Sequence, residues 1–173
     1  MIQLAGPGGA GKTTIGAELA AILRCDFLDL DREFTSRIGD IDEFIAANGY
    51  DGYARANVSL YLEIADSAFN GVLALSSGFM VYSLDIHPSY ATVVRAISQS
   101  ASAFVLIPTV EIESCVSETV HRQTGRLAGR TTAARAEAKI RERFGRYLAL
   151  PNTKIETKCP VADAVARIRA ALQ

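Results

Sequence analysis

At 173 residues, 49% of them hydrophobic and 21% charged, the chain has the size and balance of one globular domain able to bury a full core. A formal net charge of −1 argues against general nucleic-acid binding, which needs a basic face. Cys25, Cys115 and Cys159 form no CxxC pair, no basic apolar leader opens the chain and no apolar run nears the ~18 residues of a membrane span, so the expectation is a cytoplasmic protein with reduced thiols, without disulfides, zinc or a membrane partner.

The first predicted element is a short apolar strand at Ile2–Ala5. It runs into Gly6-Pro7-Gly8-Gly9-Ala10-Gly11-Lys12-Thr13, which fits the phosphate-loop pattern GxxxxGK[ST], and a helix is predicted over 14–23. Strand, loop and helix in that order are the context the motif requires. The glycines let backbone N–H groups curl around phosphate oxygens, and the helix N-terminus adds its positive dipole end. The expected nucleotide contacts are therefore Gly6, Gly8, Gly9, Ala10, Gly11, Lys12, Thr13 and Thr14. Lys12 can reach the β and γ phosphates, and the Thr13 hydroxyl can ligate Mg²⁺.

A second strand is predicted over 27–30 and ends in Asp29-Leu30-Asp31. Residues two apart on a strand point to the same side, so both carboxylates are expected to face the phosphate loop. One would join the Mg²⁺ shell and the other would accept a proton from an attacking hydroxyl. The alternative is that Asp31 caps the helix that follows.

Further helices are predicted over 32–38, 42–48, 53–69, 87–99, 112–119, 132–148 and 161–172, with strands over 72–76, 103–107 and 154–156. Apolar strands alternating with helical patterns indicate an α/β fold, a five-stranded parallel sheet flanked by helices. Ligands in such sheets bind beyond the carboxyl ends of the strands. That brings Ser76-Ser77-Gly78 and Pro108 into consideration beside the loop and the aspartates. His87 precedes Pro88 and reads as a loop or helix-start residue, and no Ser–His–Asp order or metal-ligand cluster stands out.

Arg122, Arg126 and Arg130 recur at intervals of four, with Gly125 and Gly129 between them. On a helix the three arginines would share one face. The small residues between them suit a mobile segment, about 122–135, that closes as a lid and brings arginines onto a transferring phosphate. Arg143 and Arg146 on the next helix can also reach the cleft.

With these features in place the sequence resembles the shikimate kinase family over nearly its whole length, as one P-loop kinase domain across 1–173. Phe27-Leu28-Asp29-Leu30-Asp31 resembles that family's F-x-D-x-D, and Gly39 through Gly49 resembles the segment after it. Arg143-Phe144-Gly145-Arg146-Tyr147 resembles R-x-P-L-Y, and Ile155-Glu156-Thr157 resembles the last strand, V-D-T. The resemblance implies ATP and Mg²⁺, with Asp29 in the magnesium shell and Asp31 on the reacting substrate hydroxyl. It implies Arg143 on a substrate carboxylate, Arg126 or Arg130 as the lid arginine, and Arg122 against adenine. A helical region over about 32–69 would bind the substrate, with Ser77 and Gly78 lining its site.

The chain departs from the family in the acceptor half. The family's G-G-G after the third strand is Ser76-Ser77-Gly78. Its F-R-x-x-E aligns with Tyr53-Ala54-Arg55-Ala56-Asn57, so Ala54 and Asn57 stand at the arginine and glutamate positions. Arg55 is one residue off, about 100° around a helix, and is the candidate replacement. The expected partner is a small hydroxylated molecule: shikimate by likeness, or a different polyol, sugar acid or alcohol. A nucleotide-binding module without catalysis is the other class, disfavoured by the presence of Lys12, Thr13, Asp29 and Asp31. Whether the protein is a monomer or a dimer is not written in these features.

Overall fold

In the computed structural model, which describes residues 1–126 and 133–173, five short strands form one parallel sheet. They are β1 (Ile2–Ala5), β2 (Phe27–Asp29), β3 (Val72–Ala74), β4 (Ala103–Ile107) and β5 (Thr153–Glu156), in the spatial order β2-β3-β1-β4-β5. The helices are α1 (Lys12–Leu23), α2 (Leu30–Arg37), α3 (Ile41–Asp66), α4 (Tyr90–Gln99), α5 (Ile112–Arg126), α6 (Ala133–Ala149) and α7 (Val161–Ala171). One 3₁₀ turn, Phe79–Val81, follows β3. Parallel neighbours need long crossovers, and the helices supply them.

The register sets the floor of the cleft. Asp29 pairs with Ala74, Ala74 with Leu4, and Leu4 with Phe104. The carboxyl end of β2 is thus level with the end of β1, where the glycine-rich loop departs.

Alternation along the strands builds two cores. Leu73, Leu75, Val105 and Ile107 pack with Val58 and Ile64 of α3 and with Val93 and Ile97 of α4. Val72, Phe104, Leu106 and Ile155 pack on the opposite face with Ile15 and Leu19 of α1 and Val165 and Ile168 of α7. A strand buried on both faces reads as a continuous apolar run, which is what Ala103–Ile107 shows. A smaller cluster of Cys115, Val116, Ile140 and Phe144 joins α5 to α6.

Several elements differ from their sequence-based bounds. Helix α1 starts at Lys12, two residues early, because the loop's last turn is already helical. The two helices predicted over 42–48 and 53–69 meet at a kink, Gly49 (φ 74, ψ 169), and together make up α3, which ends at Asp66 rather than residue 69. Helix α4 starts at Tyr90 rather than near residue 87, since Pro88 and Ser89 lie in the turn before it. Helix α5 continues beyond residue 119 to Arg126, into the segment expected to be mobile. Residues 127–132 of that segment, Arg130 among them, and the side chain of Arg126 lie outside the described residues. No helix among the described residues is long and apolar enough to cross a membrane.

Gly6 couples the loop to the sheet. It leaves β1 with φ 143, and a Cβ there would overlap the backbone carbonyl oxygen of Leu106. Strained φ and a backbone clash combine at this one position. Gly6→Ala is expected to destabilise the protein by about 2 kcal/mol or more, read as a lowered midpoint in urea unfolding at unchanged m.

Candidate active site

The loop between β1 and α1 is closed on itself by its own lysine. Lys12 Nζ donates to the carbonyl oxygens of Gly6 at 2.7 Å and Pro7 at 3.0 Å. Desolvation lowers the Lys12 pKa to about 8, opposed by the charges of Asp31 and Asp29, while Arg143 adds to the lowering. Gly11, in the left-handed region at φ 91, stands at the N-cap of α1 and offers no side-chain cap. The N-cap thus supplies no side-chain acceptor to the first turn of α1, an arrangement that a phosphate completes. Ala10 is fully buried against the α1 core and anchors the loop from beneath.

Thr13 and Asp29 meet beside it. Thr13 Oγ1 donates to Asp29 Oδ2 at 2.6 Å, while Asp29 Oδ1 accepts from the backbone N–H of Asp31 at 3.1 Å and Arg32 at 3.3 Å. Asp29 is thus the N-cap of α2, a role the sequence reading had offered to Asp31. Strand alternation does not bring the two carboxylates together: β2 ends at Asp29 and Leu30 already begins the helix. Asp31 reaches the cleft from the first turn of α2 instead. A hydroxyl and one fixed carboxylate next to a phosphate loop fit Mg²⁺, which keeps several waters and needs few protein ligands. Among the described residues no group of three or more His, Cys, Asp or Glu offers an alternative cation cage.

A cleft of about 350 Å³ opens beside Asp31, lined also by Tyr50, Tyr53, Ser77, Gly78 and Arg143. Arg143 Nη2 donates to the Tyr50 hydroxyl at 2.8 Å and Nη1 to Ser77 Oγ at 3.4 Å, and the guanidinium lies 5.9 Å from the Tyr50 ring centre. The Tyr147 hydroxyl, buried in α6, donates to the Ser77 carbonyl at 2.8 Å and fixes the β3 loop against that helix. Gly78 leaves room for this group, since a Cβ there would overlap the Tyr50 hydroxyl. The cleft thus joins Asp31, Ser77, Gly78 and Arg143, all expected from the sequence.

Arg55 is the exception. It is exposed on α3 and does not line the cleft, so it is no replacement for an arginine at position 54. The physical reason is helix phase: Tyr53, Ala54 and Asn57 face inward, and their neighbour is turned to solvent. Ala54 is 1% exposed and Asn57 fully buried. Asn57 Nδ2 donates to Tyr82 at 2.8 Å and to Tyr53 at 3.4 Å, and the Tyr53 hydroxyl donates to Asp31 Oδ1 at 3.2 Å. Desolvation, reinforced by the charge of Asp31, raises the Tyr53 pKa strongly, and burial does the same for Tyr82. Both are neutral phenols throughout the working pH range.

On the other side of the loop a second cleft of about 220 Å³ is lined by Gly9, Gly11, Thr14, Arg122, Thr157 and Cys159, among others. Arg122 lies on α5, at the start of the segment expected to close as a lid. It is held on α5 by Glu118 at 2.8 Å and donates to the carbonyl oxygens of Gly9 at 3.4 Å and Thr157 at 3.0 Å. It therefore bridges the phosphate loop to the turn after β5. Gly8, before Gly9 in the loop, is half-buried and is not among the residues lining this cleft.

Sequence reasoning missed Tyr50, Tyr53, Lys139, Thr157 and Cys159 as lining residues. Tyr53 carried a signal, a hydroxyl where the resembling family has phenylalanine. Tyr50 carried less: the residue types end a helix at 48, but not the direction in which the kink at Gly49 turns Tyr50 toward Arg143.

A glycine-rich loop at the carboxyl end of β1, an aspartate on β2 against the loop's threonine, and the order β2-β3-β1-β4-β5 define a P-loop protein of the small-molecule kinase fold. The chain matches the shikimate kinase family over residues 8–167 and belongs to that family. It is 37% identical to a shikimate kinase from Shewanella amazonensis over 86 residues, 49% of each chain. The match therefore spans about half the length of the curated relatives. A shikimate kinase structure from Bacteroides thetaiotaomicron superposes with a TM-score of 0.73 at 18% identity, covering 99% of this chain and 96% of that one. The shikimate kinase from Acinetobacter baumannii, solved in complex with shikimate, gives 0.71 at 25% identity, with 99% and 90% covered.

Arg122 ties two walls of the second cleft together, so its loss should be felt by nucleotide rather than by the sheet. Arg122→Ala is expected to weaken ADP binding about tenfold, the worth of one or two hydrogen bonds from a charged group. Isothermal titration with ADP and Mg²⁺ measures this, and an unchanged affinity would contradict the bridging role.

Proposed function

We propose that the protein is an ATP-dependent kinase that transfers the γ-phosphoryl group to a hydroxyl of a small metabolite in the cytoplasm. The observation that carries the reading is that Asp31, charge-coupled to Lys12 of the phosphate loop, lines a cleft that also holds Arg143. One end of that arrangement suits a phosphoryl donor and the other a hydroxylated, carboxylate-bearing acceptor. Residues 32–69 with Arg143 make up the acceptor-binding region in this reading.

In the proposed reaction the loop amides and Lys12 hold the β and γ phosphates. Thr13 and Asp29 would hold Mg²⁺, which neutralises charge between those phosphates. Asp31 accepts the proton of the acceptor hydroxyl as its oxygen bonds to the γ phosphorus. The bond from that phosphorus to the β–γ bridging oxygen breaks, and ADP leaves with the electron pair. Arg143 orients the acceptor through its carboxylate, and Tyr50 and Ser77 hold the guanidinium for that purpose.

A specific observation favours an acceptor other than shikimate. Ala54 and Asn57 are buried where the family places an arginine and a glutamate, and Arg55 points away. Losing the protein's half of a charge pair with a bound carboxylate costs about 2–5 kcal/mol, or roughly 30-fold to several-thousand-fold in affinity. Among the described residues, Arg143 and Lys139 are the cations lining the cleft that can hold a carboxylate. The related acceptors are a sugar acid, a polyol or another small alcohol.

The test is ADP formation with shikimate beside a panel of sugar acids, polyols and amino alcohols. At least one member is expected to stimulate turnover, with shikimate saturating only in the millimolar range. A micromolar shikimate KM with ordinary kcat would restore the plain family assignment. No stimulation by any member would favour a nucleotide-binding module without catalysis. Lys12→Met keeps the stem without the charge and is expected to reduce turnover to background in a protein that still melts cooperatively. Asp31→Asn is expected to lower turnover by about 10²-fold or more with ADP affinity retained.

A further inference from the structure

Tyr53 faces Asp31 from across the groove between α3 and α2. The ring is 6% exposed and lies against Phe34 at 5.0 Å and Tyr50 at 5.8 Å between centroids, so its direction is set by packing. Its hydroxyl donates to Asp31 Oδ1 at 3.2 Å and receives Nδ2 of the buried Asn57 at 3.4 Å, and that amide is itself held by Tyr82 at 2.8 Å. Desolvation keeps the phenol protonated, so it is a standing donor. Among the described residues Asp31 Oδ2 makes no hydrogen bond, while Oδ1 is taken by Tyr53. A carboxylate with both oxygens open would rotate between them, and one held on a single oxygen presents the other in a fixed direction.

We propose that Tyr53 is a positioning residue for phosphoryl transfer, holding Oδ1 of Asp31 so that Oδ2 meets the proton of the acceptor hydroxyl. The proposal rests on the reading of Asp31 as the proton acceptor. It separates two jobs that one aromatic ring performs. Packing against Phe34 and Tyr50 needs only the ring, and a phenylalanine supplies it. Aiming the carboxylate needs the hydroxyl.

The measurement is steady-state kinetics of Tyr53→Phe, Asp31→Asn and the double variant. ATP is the donor, and the acceptor is the one from the panel that gives the highest turnover. Tyr53→Phe is expected to lower kcat about tenfold, as for one hydrogen bond to a charged group, with KM for both substrates within about twofold. In the Asp31→Asn background the same change is expected to make no further difference, because the group it aims is gone. A kcat unchanged in Tyr53→Phe overturns the proposal and leaves the reading of Asp31 standing. A loss of the same factor with and without the Asp31 carboxylate also overturns it, since Tyr53 would then act through packing. Full activity of Asp31→Asn overturns the reading and the proposal together, as does a panel in which no acceptor is turned over.

Discussion

The Asp29 carboxylate takes the Thr13 hydroxyl on one oxygen and the amides of Asp31 and Arg32 on the other. Those bonds join the first turn of α1, the end of β2 and the start of α2. Charge-assisted caps of this kind are among the stronger local hydrogen bonds, and this one lies at a helix N-terminus where the dipole favours a negative group. The consequence reaches beyond the cap. With Asp29 committed to the loop side, α2 begins at once, and its first turn swings Asp31 toward the acceptor cleft. The two carboxylates that a strand would have placed in parallel are given separate work by one capping interaction.

The acceptor cleft shows the same economy on its far wall. Where the resembling family has an arginine and a glutamate, this chain has a neutral chain of Asn57, Tyr53 and Tyr82 beneath the aspartate. A buried ion pair carries a large desolvation cost, and replacing both partners with neutral groups need not weaken the fold. What changes is recognition. Among the described residues the cleft lining holds one guanidinium, clasped by Tyr50 and Ser77, with the Lys139 amine and phenol and hydroxyl groups around it. Such a lining discriminates by hydrogen-bond geometry as much as by charge.

Much of this was legible in the residues. Strand, glycine loop and lysine at the start of the chain specify a phosphate site, because few other arrangements of backbone donors tolerate so many glycines before a helix. The core strands of the five-stranded sheet were legible too: runs such as Ala103–Ile107 are apolar at every position, which only a sheet covered on both faces requires. Asp31, Ser77, Gly78 and Arg143 could be named in advance because they close strands or recur in a recognisable motif, and the structure brings them to one cleft.

The sequence by itself determined the class of fold, the phosphate loop and the residue types available beyond the strand ends. Tertiary structure alone decided which of those residues meet. Helix phase turned Arg55 outward and Ala54 inward, a distinction of one position that composition does not encode. The break at Gly49 delivered Tyr50 to Arg143 across 93 residues of chain. Arg122 is fastened to Gly9 and Thr157, partners 113 and 35 residues away. These contacts depend on how helices stack on the sheet, and stacking is settled by the summed burial of two cores rather than by any local run of residues.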